Sequence, residues 1–405
     1  MQDKRFEFGF DLIKLNFNYI KLAPLFLTLV SWGFISSYDF SKIESLLLDR
    51  VSTWLEIENE YTVFYIDNES DQFLGQRYPY SLNTYVNALS NLSRYKTNGL
   101  SLIIDQGFYT EKDSKYFEKI NNELNLISGY KLLGELVDAG GIRDSFSRNL
   151  MAERYMSIVT TDMEDFSKDG RVRRLVLDIS GNSTFTKKLA EAIRGKEFFN
   201  LRGSFYNTEA DANFTYTSFS SNTKKINFIP FHLLVTNGIP PEVVAGKNII
   251  IGASFKSSTD YFFEKPNGEM ISHLQMYIEQ AESLIQGKSY NIYKEDGLKY
   301  IGIALSFLLF FFVFTFRPST SSAIFLTILL VLIGSNFLLA RLLNTYVEVV
   351  EIIIGVTMTY YLSLPFKAIS ENKKAALLER ESKLRNEVEE LKNNAYQNKY
   401  LPMQG

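Results

Sequence analysis

The chain has 405 residues, with 43 Lys and Arg against 46 Asp and Glu, a net charge of −3, two histidines and no cysteine. That balance gives no ground for a nucleic-acid partner. Without Cys, disulfides and thiolate-held zinc or iron–sulfur sites are excluded, and His232 and His273 alone leave little for a histidine-rich metal site. The length suits two or three domains. The ordinary average of 46% hydrophobic residues conceals an almost continuously apolar stretch at 298–366.

Residues 1–18 are polar, with Lys4, Arg5 and Lys14, and precede the apolar run YIKLAPLFLTLVSWGFISSY at 19–38. A membrane helix needs roughly 20 such residues. A cleaved signal peptide is the other reading of this run. No small-residue cleavage site follows it and the leading segment is long, so it reads as an uncleaved transmembrane anchor.

Residues 39–297 have the composition of a soluble domain. Strand patterns are expected at 61–67, 100–105, 154–161, 172–180, 226–230 and 247–254. Helix patterns are expected at 81–95, 113–126, 183–194 and 267–286, the last ending at Gly287. Alternation of short, wholly apolar strands with helices predicts an α/β domain with a largely parallel sheet. The segment 198–223, rich in Asn, Ser, Thr and Phe, reads as an irregular insertion.

Three further spans are expected at 300–316, 321–340 and 345–366, joined through Arg317-Pro318 and Arg341. Together, residues 298–366 form three transmembrane helices. Asn336 is read as bonding across helices. Glu348 and Glu351 fall in the last span. An ionisable group there suggests a role in coupling across the membrane, although carboxylates in the first two turns also reach the outer headgroups. Basic residues gather before the anchor (Lys4, Arg5, Lys14, Lys21) and after the last span (Lys367, Lys373, Lys374, Arg380, Lys383, Arg385). The flanks of the 39–297 domain carry fewer. By the positive-inside rule both termini are cytoplasmic and 39–297 is extracytoplasmic, as for a bacterial inner-membrane protein. The tail, 367–405, carries Leu377, Leu384 and Leu391 at d and Val388 at a, with Glu381 breaking one a position. This predicts a short α-helical coiled coil and a homodimer or higher oligomer.

Two apolar strands end in acid, at Asp67 (then Glu69) and at Asp105. Ligands of open α/β sheets gather at the carboxyl ends of strands, which marks Asp67, Glu69, Asp105, Gly252 and Asp260 as candidate ligand-binding residues. The competing reading is that the aspartates cap turns and helices. A calcium or magnesium site from Asp67, Glu69, Asp105 and Asp260 is a further alternative, but nothing in their spacing requires a metal, and none is assigned.

The strand ending Ile66-Asp67 is followed by Leu74-Gly75, the triplet Tyr78-Pro79-Tyr80, a helix, and a second strand ending at Asp105 with Phe108 beyond. DFSKDGRVRRLVL at 165–177 then supplies Asp169, Gly170 and Arg173. GKNIIIGASFKSSTDYFFEKPNGEM at 246–270 supplies Gly246, Lys247, Ile251, Gly252, Ala253, Asp260, Pro266 and Met270. In this order, and with three closing spans, the chain resembles the CHASE domain of the second type, a sensory extracellular domain associated with cyclases and histidine kinases. The triplet departs from the family's Trp-Pro-Trp, Leu82 falls where an Arg follows it, and Ser272 takes a Gly place. The resemblance implies an extracytoplasmic sensory role and names no stimulus.

No sequence feature points to an enzyme or a cofactor. The cytoplasmic tail has no histidine to accept a phosphate, kinase loops are absent, and Gly287-Lys288-Ser289 is preceded by Glu282 where a phosphate loop needs Gly. The sequence therefore predicts a membrane-anchored receptor in the lipid bilayer. It would pass a periplasmic signal to a cytoplasmic coil and a separate or missing effector. The alternatives are a structural or scaffold subunit of an envelope assembly, docking other envelope proteins, and a shortened form of a longer signalling protein.

Overall fold

The computed structural model describes residues 23–103, 114–136, 153–157, 169–255, 262–293 and 297–400. The chain divides into two compact units. An α/β unit takes Ser41–Tyr293 and Asn336–Glu348, and a helical unit takes Met1–Phe40, Lys294–Ser335 and Val349–Gly405.

The helical unit begins with α1 (Ala23–Ile35), apolar but shorter than a full span within the described residues. The α/β unit opens with α2 (Ser41–Val51), β1 (Tyr61–Ile66), α3 (Asn68–Leu74), α4 (Leu82–Leu92), β2 (Gly99–Ile103), α5 (Ser114–Leu126), β3 (Tyr130–Leu136) and β4 (Glu153–Ser157). It continues through β5 (Arg174–Ile179), β6 (Asn182–Ser183), α6 (Phe185–Arg194), β7 (Ser204–Asn207), β8 (Ala212–Tyr216), β9 (Ile226–Pro230), α7 (Phe231–Val235), α8 (Pro241–Val244) and β10 (Asn248–Ala253). It closes with β11 (Phe262–Glu264), β12 (Met270–Ser272), α9 (His273–Ile285) and β13 (Asn291–Tyr293).

Six strands form one sheet in the order β4-β3-β2-β10-β1-β9, and every pairing is parallel. Alternate residues face opposite ways along each strand. Phe64, Ile66, Leu100, Leu102, Ile249 and Ile251 therefore meet α4, α5 and α7 on one face. Val63, Ile103 and Ile250 meet α6 and α9 on the other. Cover on both faces is why the strands read as continuous apolar runs. Gly252 in β10 lies under α9: a Cβ there would stand 2.7 Å from Leu274 Cδ2 and 3.0 Å from the Ile103 carbonyl oxygen.

The strand at 172–180 belongs instead to a second, antiparallel sheet, β6-β5-β8-β7. A two-residue turn, Ser180-Gly181, both at positive φ, joins β5 to β6. The segment 198–223 is thus not irregular, because it contains the β7–β8 pair. Phe205, Phe214 and Tyr216 stack along this pair, but β7 has no fully buried residue and β8 carries the polar Asn213 and Thr215, so their sequence lacks an apolar run.

In the helical unit, α10 (Gly297–Thr315), α11 (Pro318–Leu343) and α12 (Val350–Tyr400) follow, with β14 (Thr345–Val347) between the last two. Among the described residues, three helices are long and apolar enough to cross a membrane: Gly297–Thr315, Pro318–Leu343 and the Val350–Asn394 part of α12. Phe311, Leu330 and Val331 are exposed, while Ser306, Ser321, Thr359 and Ser363 are buried. This inside-out pattern suits lipid. Trp32 of α1 fills a notch at Gly302 and Gly355, where added Cβ atoms would lie 2.3 and 2.2 Å from its ring. Its Nε1 donates to Ser306 Oγ at 3.0 Å. Lys367 donates to the carbonyl of Phe316 just beyond α10.

The fourth span starts later than expected. Residues 345–347 are strand, and α12 begins at Val350. Glu348 consequently lies outside the helix, in the α/β unit, and Glu351 lies in the first turn of α12.

Candidate functional site

At the end of β1, Asp67 is the N-cap of α3: its Oδ1 accepts from the Ser70 amide at 2.9 Å. The strand end is thus used for a cap, the role expected of Asp before a helix. Glu69 is exposed. Burial raises the Tyr65 hydroxyl, and the nearby carboxylates of Asp67 and Glu69 add to the shift. Gly252 is held by packing, as described above. Asp105 and Asp260 lie outside the described residues. Among the described residues, no group of three His, Asp or Glu is placed to hold a metal.

The sequence reading missed Asp71. Its Oδ1 accepts from the Tyr80 hydroxyl at 2.8 Å and the Tyr78 amide at 3.2 Å. It thereby pins the Tyr-Pro-Tyr triplet, whose Tyr78-Pro79 bond is cis, onto α3. Tyr80 stacks on Phe231 at 5.8 Å, and Tyr78 packs on Phe255 at 5.6 Å. His232 is buried and stacks on Phe73 at 4.3 Å.

The segment 169–173 does more. Arg173 is fully buried. Its Nε and Nη2 donate to the two carboxylate oxygens of Asp49 at 2.6 and 3.0 Å. Its Nη1 and Nη2 donate to those of Asp169 at 2.9 and 2.7 Å. Both pairs are bidentate, the strongest ion-pair geometry. Burial alone would lower the Arg173 value, but hydrogen bonds and charge from Asp169 and Asp49 outweigh it and hold the guanidinium above its ordinary range. Arg171 extends the cluster to Asp49 at 3.1 Å and Glu264 at 2.8 Å. Asp49 belongs to α2, far away in sequence, and no local pattern marks it.

A second set of buried charges lies on α9. Glu279 accepts from the Ser220 amide at 2.9 Å and Gln275 at 2.8 Å, with Lys265 at 3.4 Å. Burial pushes its carboxyl above the usual range despite these partners. Glu282 accepts from the Tyr61 hydroxyl and Asn59 Nδ2, both at 2.7 Å.

The remaining cluster gathers Leu48 and Val51 of α2, Tyr216, Tyr290, Ala340 of α11 and Tyr346 of β14. Strands β13 and β14 pair in parallel. The Tyr346 hydroxyl donates to Glu44 Oε1 at 2.7 Å. Asn344 Nδ2 donates to the carbonyls of Gly287 and Ser289, each at 2.6 Å. Asn336 does not bridge membrane helices. It exchanges two 2.8 Å bonds with the Val347 backbone, because a side-chain amide supplies the donor and acceptor that this tight return needs. The chain passes between the two units at 40/41, 293/294, 335/336 and 348/349. On the α/β side, these passages begin α2, end β13, enter α11 at Asn336 and follow β14 by one residue.

No curated protein and no solved structure matches the chain. The family model of the CHASE2 domain matches residues 25–314, well over half of the sequence. An α/β unit carried by apolar, membrane-length helices accords with that match: this is a membrane protein with an extracytoplasmic sensory domain, and it belongs to the CHASE2 domain family.

Proposed function

We propose that the chain is an inner-membrane receptor with both termini in the cytoplasm, in which the α/β unit sets the state of a paired cytoplasmic helix read by a separate effector. One observation carries this reading. β14 is bonded into the α/β unit through β13 and Tyr346, and α12 starts at Val350 and runs unbroken to Tyr400. At 1.5 Å per residue that single helix is about 75 Å long, enough to cross a bilayer and project beyond it. On its tail Leu384, Val388 and Leu391 are 43%, 50% and 68% exposed, and Leu377 is half-buried. These are the residues a parallel homodimer would cover. The protein acts by binding and shape change rather than by catalysis.

The cysteine-free sequence makes single-cysteine crosslinking in native membranes the natural test. Cysteines at 377, 384 and 391 should crosslink two copies, and cysteines at 379 and 386 should not. Cutting the hold on β14 with Tyr346→Phe and Asn344→Ala should change the crosslinking rate at 384 by about fivefold, the scale of ordinary site-to-site coupling. Equal crosslinking at all five positions removes the paired helix. Unchanged rates in the β14 variants, with capture of other envelope proteins, favour a scaffold subunit.

A further inference from the structure

Helix α2 has its polarity reversed. It buries Glu44, Ser45 and Asp49, at 4%, 4% and 6% exposure. It exposes Ile43 and Leu46, at 47% and 60%, flanked by exposed Lys42 and Arg50. At 100° per residue, Lys42, Leu46, Arg50 and Ile43 fall on one side of the helix, with half-buried Leu47 at its margin. Both carboxylates of the helix face inward, to Tyr346 and to Arg171 and Arg173. The outward face therefore holds apolar side chains and two cations and no acid. Asp39 lies in the preceding linker.

Two observations say what covers this face. Only five residues, 36–40, separate α1 from α2, six Cα steps with a reach of at most about 22 Å, so the chain tethers the start of α2 within that distance of the end of the anchor helix. On its buried side α2 packs through Leu48 with Ala340, in the last turns of membrane-length α11. Beside them Trp54 is capped by the Arg341 guanidinium at 5.1 Å and by Phe337 at 4.9 Å. Aromatic and basic residues of this kind mark a membrane–water boundary.

We propose that the outward face of α2 beds in the bilayer leaflet facing the α/β unit, with Ile43 and Leu46 at the acyl boundary and Lys42 and Arg50 on lipid phosphates. The α2 helix then joins a lipid surface on one side to the buried ion pairs of the sensory unit on the other. This rests on the extracytoplasmic placement of the α/β unit and is independent of any signal reaching the tail.

The test uses the full chain in vesicles of phosphatidylcholine, with and without phosphatidylglycerol. Leu46→Cys and, as a water-facing control, Phe199→Cys (Phe199 is 84% exposed) each carry an environment-sensitive fluorophore. Nitroxide on the lipid should quench the label at 46 about fivefold more, relative to aqueous iodide, than the label at 199. Phosphatidylglycerol should strengthen that preference, and Lys42→Gln/Arg50→Gln should abolish the gain. Iodide quenching at 46 equal to that at 199 overturns the proposal. So does a disulfide between two copies at 46 without lipid quenching, which would assign the face to a second copy. Lipid quenching indifferent to phosphatidylglycerol overturns the phosphate contacts.

Discussion

Removing Asp49 tests the buried cluster most directly. Asp49→Ala deletes two charged hydrogen bonds to a guanidinium with no solvent exposure and one to Arg171. Breaking a buried pair by truncating one partner costs roughly 3–5 kcal/mol. Asp169 stays bidentate on Arg173 and is about a third exposed, so part of the charge remains compensated and the lower end, about 3 kcal/mol, is expected. For a domain of this size that lowers Tm by about 6–12 °C. Trp54 lies three residues beyond α2, and in a Trp32→Phe background it is the only tryptophan, so its emission follows unfolding of the α/β unit. The companion variant Arg173→Met should be similarly destabilised, and the double variant less than the sum, with an interaction of at least about 1 kcal/mol. Additive losses, or a loss below about 1 kcal/mol for Asp49→Ala, would refute the assignment of Asp49 as the main counter-ion.

Gly355→Ala drives a methyl into the Trp32 ring and should cost about 1–3 kcal/mol in thermal unfolding of the helical unit. Trp32→Leu should restore that loss, whereas a general helix defect would not be rescued. Glu279 is a carboxyl raised by burial, so the native state holds its proton where the unfolded chain has lost it. Its contribution falls as pH rises from about 4.5 through the raised native value. Glu279→Gln should flatten that part of the stability–pH curve measured by urea titration, and an unchanged slope would contradict the buried-carboxyl reading. Asp67→Ala should cost about 1 kcal/mol through the lost cap, with Asp67→Ser recovering most of it. A loss of function in Asp67→Ser at full stability would instead point to a ligand role.

Most of the large parallel sheet was legible because strands buried on both faces are largely apolar, as β10 and β1 show; β3 was not anticipated, since YKLLGEL interrupts its apolar residues with Lys131, Gly134 and Glu135. The antiparallel sheet was less so, since β7 alternates exposed Ser204 with half-buried Phe205 and its polar half resembles a loop. The start of α12 was misplaced because Thr345, Tyr346 and Val347 are apolar or β-branched and suit a strand and a membrane helix equally. The segment Asp169-Gly170-Arg171-Val172-Arg173 stood out, but its partner did not. Asp49 sits in a short helix whose charged residues look solvated until the fold brings Arg173 to it. Gly252 and Asp67 stood out at strand ends, and the structure gives each a structural role there, close packing under α9 and the N-cap of α3.

The two buried carboxylates of α2 divide its attachments. Asp49 ties the helix to Arg173, immediately before β5, and Glu44 ties it to β14, the strand that leads into α12 within three residues. A stimulus acting on the α/β unit need not touch either pair. Arg173 has no exposed surface, so the accessible end of the first pair is Asp169, on the loop before β5. Under the proposed receptor function, an occupant of that loop would change the tail only if it bound one arrangement of the pair better than another. Loss of Asp169 would leave Asp49 as the sole bidentate partner of Arg173 and tighten α2 against β5. Loss of Asp49 would release α2 while β14 stays bonded to β13. The two aspartates share one guanidinium, both bonding Nη2, and under the proposed receptor function Asp169→Asn and Asp49→Asn should have opposite effects on crosslinking at position 384.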